Sequence, residues 1–108
     1  METELAGWTA QEQELAQRVY EQALIREVEA LIETLRQETA ALSTPEQVWR
    51  FHDLLSIRRH QIEGRGGFRL DGLLFVLADL VKGGLVSLDE LDGLSADKRA
   101  KIQAMARF

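Results

Sequence analysis

Cysteine is absent from the 108-residue chain, which excludes disulfides, thiol nucleophiles and thiolate zinc sites and is compatible with a reducing compartment. Proline occurs once, at Pro45, and from Ala10 to Leu42 there is neither proline nor glycine, so no residue there is built to interrupt a helix. Long apolar runs are also missing. None approaches the roughly 20 residues that a membrane-spanning helix needs, and the opening M-E-T-E-L-A-G-W has no basic stretch followed by an apolar one, as a secretory signal would. The expectation is a soluble cytoplasmic protein without direct membrane insertion. Cations are in the minority, 13 against 18 acidic side chains, for a net charge of −5. Their distribution is uneven: residues 1–46 carry −7, residues 47–70 carry +3 and residues 71–108 carry −1. Nucleic-acid binding depends on many clustered cations, and acidic flanks would oppose it here. An acidic protein surface suits the central basic island better.

What the chain does have is 45% hydrophobic residues, enough for one domain with a modest core. Residues 1–8 lack apolar periodicity and are expected to fray. Thr9-Ala10-Gln11-Glu12 fits a capping box, and the uninterrupted stretch after it predicts one helix of about 33 residues. Leu24, Val28, Leu31, Leu35 and Leu42 form a heptad-like stripe that Ile25 and Ile32 widen. So long an apolar face exceeds what one short chain can cover, and Leu24, Val28, Leu31, Ile32 and Leu35 are the expected contacts of a homodimer. Thr44-Pro45-Glu46-Gln47 restarts a helix with a second capping box. The short link allows either a long helical hairpin or an extended two-helix stem. Gly64-Arg65-Gly66-Gly67 should end that helix and open a linker; it matches neither a dinucleotide nor a Walker fingerprint. Beyond it, Leu73-Leu74-Phe75-Val76-Leu77-Ala78 is apolar all round, as suits a helix surrounded by protein, with Gly83-Gly84 as its stop. Ser87 and Ser95 open two more short helices. The fold class expected is all-α and dimeric: a stem over residues 1–64, a glycine-rich linker over 65–67 and a helical head over 68–108.

The most informative stretch is W-R-F-H-D-L-L-S-I-R-R-H-Q-I-E-G, from Trp49 to Gly64. At about 100° per residue, Val48, Phe51, Leu55 and Ile62 share one side. Trp49, His52, Asp53, Ser56, Arg59, His60 and Glu63 converge on the other. A metal or acid-base site built on His52, Asp53 and His60 fails on spacing, because the two histidines lie roughly 12 Å apart along a helix axis, and the sequence offers no nucleophile beside them. No cofactor is expected. A tryptophan three residues from a histidine and four from an aspartate has the make-up of an interface hot spot. On residues alone, a helical adaptor or dimerisation module for some other partner stays open, and a small metal-dependent hydrolase remains a third reading.

The pattern W-x-x-H-D-x-L-S-x-x-R-H-x-I-E-G resembles the central signature of the cyanobacterial fluorescence recovery protein family. The long first helix, the L-F-V-L-A-D-L-V segment and the ending D-K-R-A-K-I-Q-A-M-A-R-F extend the likeness over nearly the whole chain. I-E-G followed by Arg65-Gly66-Gly67 departs from the I-D-G and charged, aromatic linker of that pattern. The resemblance implies a non-enzymatic, dimeric photoprotection regulator. Its partner would be the C-terminal domain of the photoactivated orange carotenoid protein, whose red-to-orange reversion it would speed, ending phycobilisome quenching. Its location would be the cytoplasm, within reach of the cytoplasmic face of thylakoid membranes. Trp49, His52, Asp53 and Arg59 carry over as partner-binding residues, together with Phe75 and Lys101 of the head.

Overall fold

The computed structural model describes residues 6–108, and all regular structure among them is helical. Helix α1 spans Ala10–Ala40, α2 Pro45–Gly64, α3 Leu73–Lys82 and α4 Ala96–Ala106, with a 3₁₀ turn at Leu88–Leu91. The sequence signals fix most of these ends. Thr9 and Glu12 exchange backbone and side-chain hydrogen bonds, each 3.1 Å, and Thr44 with Gln47 closes the second capping box with Pro45 in the first turn. The Ser87–Glu90 box opens a 3₁₀ turn rather than an α-helix. Ser95 Oγ accepts from Lys98 N–H at 3.3 Å. After α3, the Leu85 and Gly84 amides bond back to Leu80 and Val81 at 2.9 and 3.0 Å, with Gly84 at φ +77°. This is a Schellman stop, and the left-handed φ is why glycine sits there.

Two compact units result, residues 1–27 with 68–108, and residues 28–67. The first holds the core. Leu73, Leu77 and Leu80 line one face of α3 and pack with Val86, Leu91, Leu94 and Ile102. From α1 come Ala16, Val19, Tyr20 and Ala23, spaced at one helical face; the two alanines let the helix approach closely. The sequence reading assigns this half of α1 to the stem, yet its side chains share one core with the head. Trp8, expected to fray, is buried in the same core, while residues 1–5 of the expected frayed segment lie outside the described residues. Leu24, expected at a dimer contact, packs against the edge of this core as well. Phe75, expected to be enclosed, lies opposite Leu73 and Leu77 on α3 and is 71% exposed. An apolar sequence all round does not require burial all round when only one face has a neighbour.

Two carboxylate clamps, one buried at Glu12 and one half-buried at Glu90, fasten α1 to the later elements of this unit. Glu12 accepts from Ser95 N–H at 2.9 Å and from Lys98 Nζ at 2.9 Å, and Lys98 also donates to the Gly7 carbonyl and lies 5.0 Å from the Trp8 ring. Arg26 pairs with Glu90 at 2.7 Å and donates to the Leu85 carbonyl at 2.9 Å. The Arg26 hydrogen bond, followed by that from Ser87 N–H, holds the Glu90 carboxyl at about 2. For Glu12, burial raises the pKa, but the hydrogen bonds from Lys98, Thr9 and Ser95 outweigh it and the net direction is down. Both carboxyls therefore bind protons more weakly folded than unfolded. For Glu90 this stabilisation is full above about pH 4.5 and is lost as pH falls toward about 2; that of Glu12 is lost in the same direction. Denaturant midpoints should fall between pH 5 and pH 3 by an amount worth on the order of 1–2 kcal/mol for Glu90, discounted for its partial exposure. Glu90→Gln should show a shallower fall; an identical one would place the acid sensitivity elsewhere.

The second unit is built differently, for no residue from 28 to 67 is buried. α1 ends at Ala40, two residues earlier than its sequence suggests, and the turn over residues 41–44 is held by the Gln47 side-chain carbonyl, which accepts from Ser43 N–H at 2.7 Å, Ser43 Oγ at 3.0 Å and Thr44 N–H at 3.2 Å. Past this turn α2 does not pack lengthwise on α1. Of the two arrangements open at the sequence level, the hairpin is not formed. Val28 and Ile32 of α1 are 44% and 42% exposed, and Leu31 and Leu35 are half-buried.

Candidate functional site

Helix α2 carries the polar stripe, and its side chains are displayed rather than enclosed. Trp49 is 67% exposed and shares a shallow apolar surface with Leu42, Pro45 and Val48 at the helix's start. The proline ring at the first helical position fixes the entry of the chain and gives the indole a firm base. One turn on, His52 and Asp53 are 72% and 76% exposed, with Nδ1 and Oδ1 3.4 Å apart. At that distance the contact orients weakly. A further turn and a half along, Arg59 Nε donates to Glu63 Oε1 at 2.9 Å, with both side chains well exposed. The hydrogen bond and charge of Glu63 raise the Arg59 pKa above its ordinary value, so the guanidinium is charged at any working pH.

Phe75 and Lys101 lie in the other unit, on α3 and α4. Phe75 projects from the head as an exposed aromatic ring, and Lys101 pairs with Asp97 one turn back at 3.1 Å. Glu63 was not among the residues singled out for binding. Its signal was nonetheless present, since it stands four positions after Arg59 on the same stripe. Among the described residues no three His, Cys, Asp or Glu side chains cluster as metal ligands, and no helix is long and apolar enough to cross a membrane.

Fold and stripe together define an all-α protein that carries its distinctive side chains on the outside of a helix. The family model described as photoprotection regulator fluorescence recovery protein matches residues 8–106. A fluorescence recovery protein of Synechocystis sp. is 36% identical over 108 residues, covering 100% of this chain and 99% of the relative. Among solved structures, the fluorescence recovery protein of Fremyella diplosiphon superposes with a TM-score of 0.85 at 42% identity, covering 94% of this chain and 99% of the other. That of Synechocystis sp. gives 0.84 at 37% identity with the same coverage. This chain belongs to the fluorescence recovery protein family of photoprotection regulators.

Proposed function

We propose that the protein binds the photoactivated, red orange carotenoid protein at its C-terminal domain and accelerates reversion to the orange form, ending phycobilisome quenching. The observation that carries this reading is Trp49, 67% exposed on a helix with no buried residue. An aromatic ring left in water at the head of a helix stripe that continues through His52, Asp53 and Arg59 is what a desolvated interface centre needs before its partner arrives. The protein works without chemistry of its own. It binds a conformation on the way back to orange more tightly than the red resting state, and this difference lowers the barrier. The carotenoid belongs to the partner, and the setting is the cytoplasm. Phe75 and Lys101 give the head a secondary contact. We take residues 1–64 as the stem, the first part of α1 being anchored in the head's core, with 65–67 as the linker and 68–108 as the head. Residues Val28, Leu31, Ile32 and Leu35 meet a second copy, whereas Leu24 serves the core.

Mixing the purified protein with photoactivated orange carotenoid protein and following its colour in the dark tests the function; unchanged decay would refute it. The basic island adds a prediction. If the +3 charge of residues 47–70 steers encounter with an acidic surface, the association rate should fall as ionic strength rises from about 0.01 to 0.15 M, where the Debye length shrinks from about 30 to 8 Å. Stopped-flow association across that range should show a decline, and a flat rate would remove steering while leaving the contact itself intact.

A further inference from the structure

We propose that Glu63 is a positioning residue for partner recognition: its carboxylate occupies Arg59 Nε and leaves the two terminal guanidinium nitrogens as a fork for a carboxylate of the partner. The proposal rests on reading the α2 stripe as the contact surface.

Local stability does not account for Glu63. It stands in the last turn of α2, where no basic residue is present and where the helix dipole disfavours a negative charge. The order, arginine first and acid four residues later, is the less favourable one on a helix. The pair is exposed, 76% and 64%, and such pairs add little to folding. What the carboxylate does is restrict a long side chain. Arg59 Nε–H is committed to Glu63 Oε1 at 2.9 Å, and Nη1 and Nη2 hold no protein partner among the described residues. A planar guanidinium held at Nε can still offer two parallel N–H donors from its far edge, the geometry that fits a carboxylate bidentately. Placement supports the same reading. Around the helix, Arg59 lies about 80° from Trp49 and Glu63 about 40° on the same side. The ion pair thus turns the guanidinium from the margin of the stripe onto the azimuth of its centre line, about one turn further along the axis from Trp49.

The test measures how the dark decay of photoactivated orange carotenoid protein depends on the concentration of wild type, Glu63→Ala, Arg59→Leu and the double variant. Glu63→Ala should raise the half-saturating concentration about threefold to tenfold, the range for ordering one long side chain, with the maximal rate kept. In the Arg59→Leu background it should add nothing. A loss of equal size in both backgrounds, or none in either, overturns the proposal. The Arg59 Nε–Hε resonance supplies a readout without partner: it should sit away from the free-arginine position in wild type and move to it in Glu63→Ala. An unmoved resonance also overturns the proposal. If wild type gives no acceleration, the contact-surface reading itself fails and the proposal falls with it, a result distinct from a failure confined to Glu63.

Discussion

Trp49→Leu, Asp53→Leu and Arg59→Leu should each weaken acceleration of the red-to-orange decay by a factor of roughly 30 at subsaturating protein, while leaving helicity unchanged. Loss of an aromatic anchor or of a desolvated charge partner costs about 2 kcal/mol or more at an interface. The structure makes the control sharp. α2 has no buried residue, so trimming the Trp49 indole leaves no cavity of the kind that costs a core 3–5 kcal/mol or so. Asp53 and Arg59 are both 76% exposed, and among the described residues each pairs with a neighbour on the same helix, His52 and Glu63, so removing either charge strands no buried group. The opposite pattern belongs to a packing role: Trp49→Leu would then lower the melting temperature, and the two charge variants would behave as wild type. Decay kinetics beside circular dichroism of the same samples separate the two. Fluorescence helps, because the chain's other tryptophan, Trp8, is 4% exposed in the core of the first unit and reports on folding in the Trp49→Leu protein. Full acceleration by all three variants would sink the stripe as the active surface.

The parts of this architecture that were legible in the sequence are those governed by neighbours a few residues apart. Capping boxes at Thr9, Thr44 and Ser87, the proline at the start of α2 and the glycines that end α2 and α3 are local chemistry, and each lies where its pattern puts it. The α2 stripe was legible for the same reason, because helical periodicity alone sets which side chains share a face. What was not legible depends on residues far apart. Nothing around Glu12 announces that its carboxylate will be met by Ser95 and Lys98, 83 and 86 residues away. Nothing around Ala16 and Ala23 marks them as core, since small side chains carry little hydrophobic signal even when their value lies in allowing close approach. Trp8 went unread because it precedes the first periodic segment, and only the distant Lys98 and the core beneath it give it a place. Phe75 shows the converse: its apolar neighbours concealed that the face it occupies has no cover.

Ile32→Glu should convert the proposed dimer to monomer and reduce helicity in residues 28–67. This unit has no buried residue of its own, and helices without tertiary burial are marginal in water at such lengths. Yet it displays Val28 and Ile32 at 44% and 42% exposure, with Leu31 and Leu35 half-covered beside them. A second copy burying that face would supply the missing stabilisation, and folding would then be linked to association, so the wild-type melting temperature should rise with protein concentration. A carboxylate placed in the seam costs several kcal/mol if it stays buried and charged, which is enough to dissociate a dimer held at micromolar concentration. Light scattering should give about twice 12.2 kDa for wild type and a single-chain mass for the variant. Leu24→Ala is the contrasting substitution: because Leu24 packs against the core of the first unit, it should lower the melting temperature while the mass stays dimeric. A monomeric wild type, or an Ile32→Glu protein that remains a dimer, would place the association surface elsewhere on the chain. Dissociation by Leu24→Ala and not by Ile32→Glu would shift the seam toward the first half of α1.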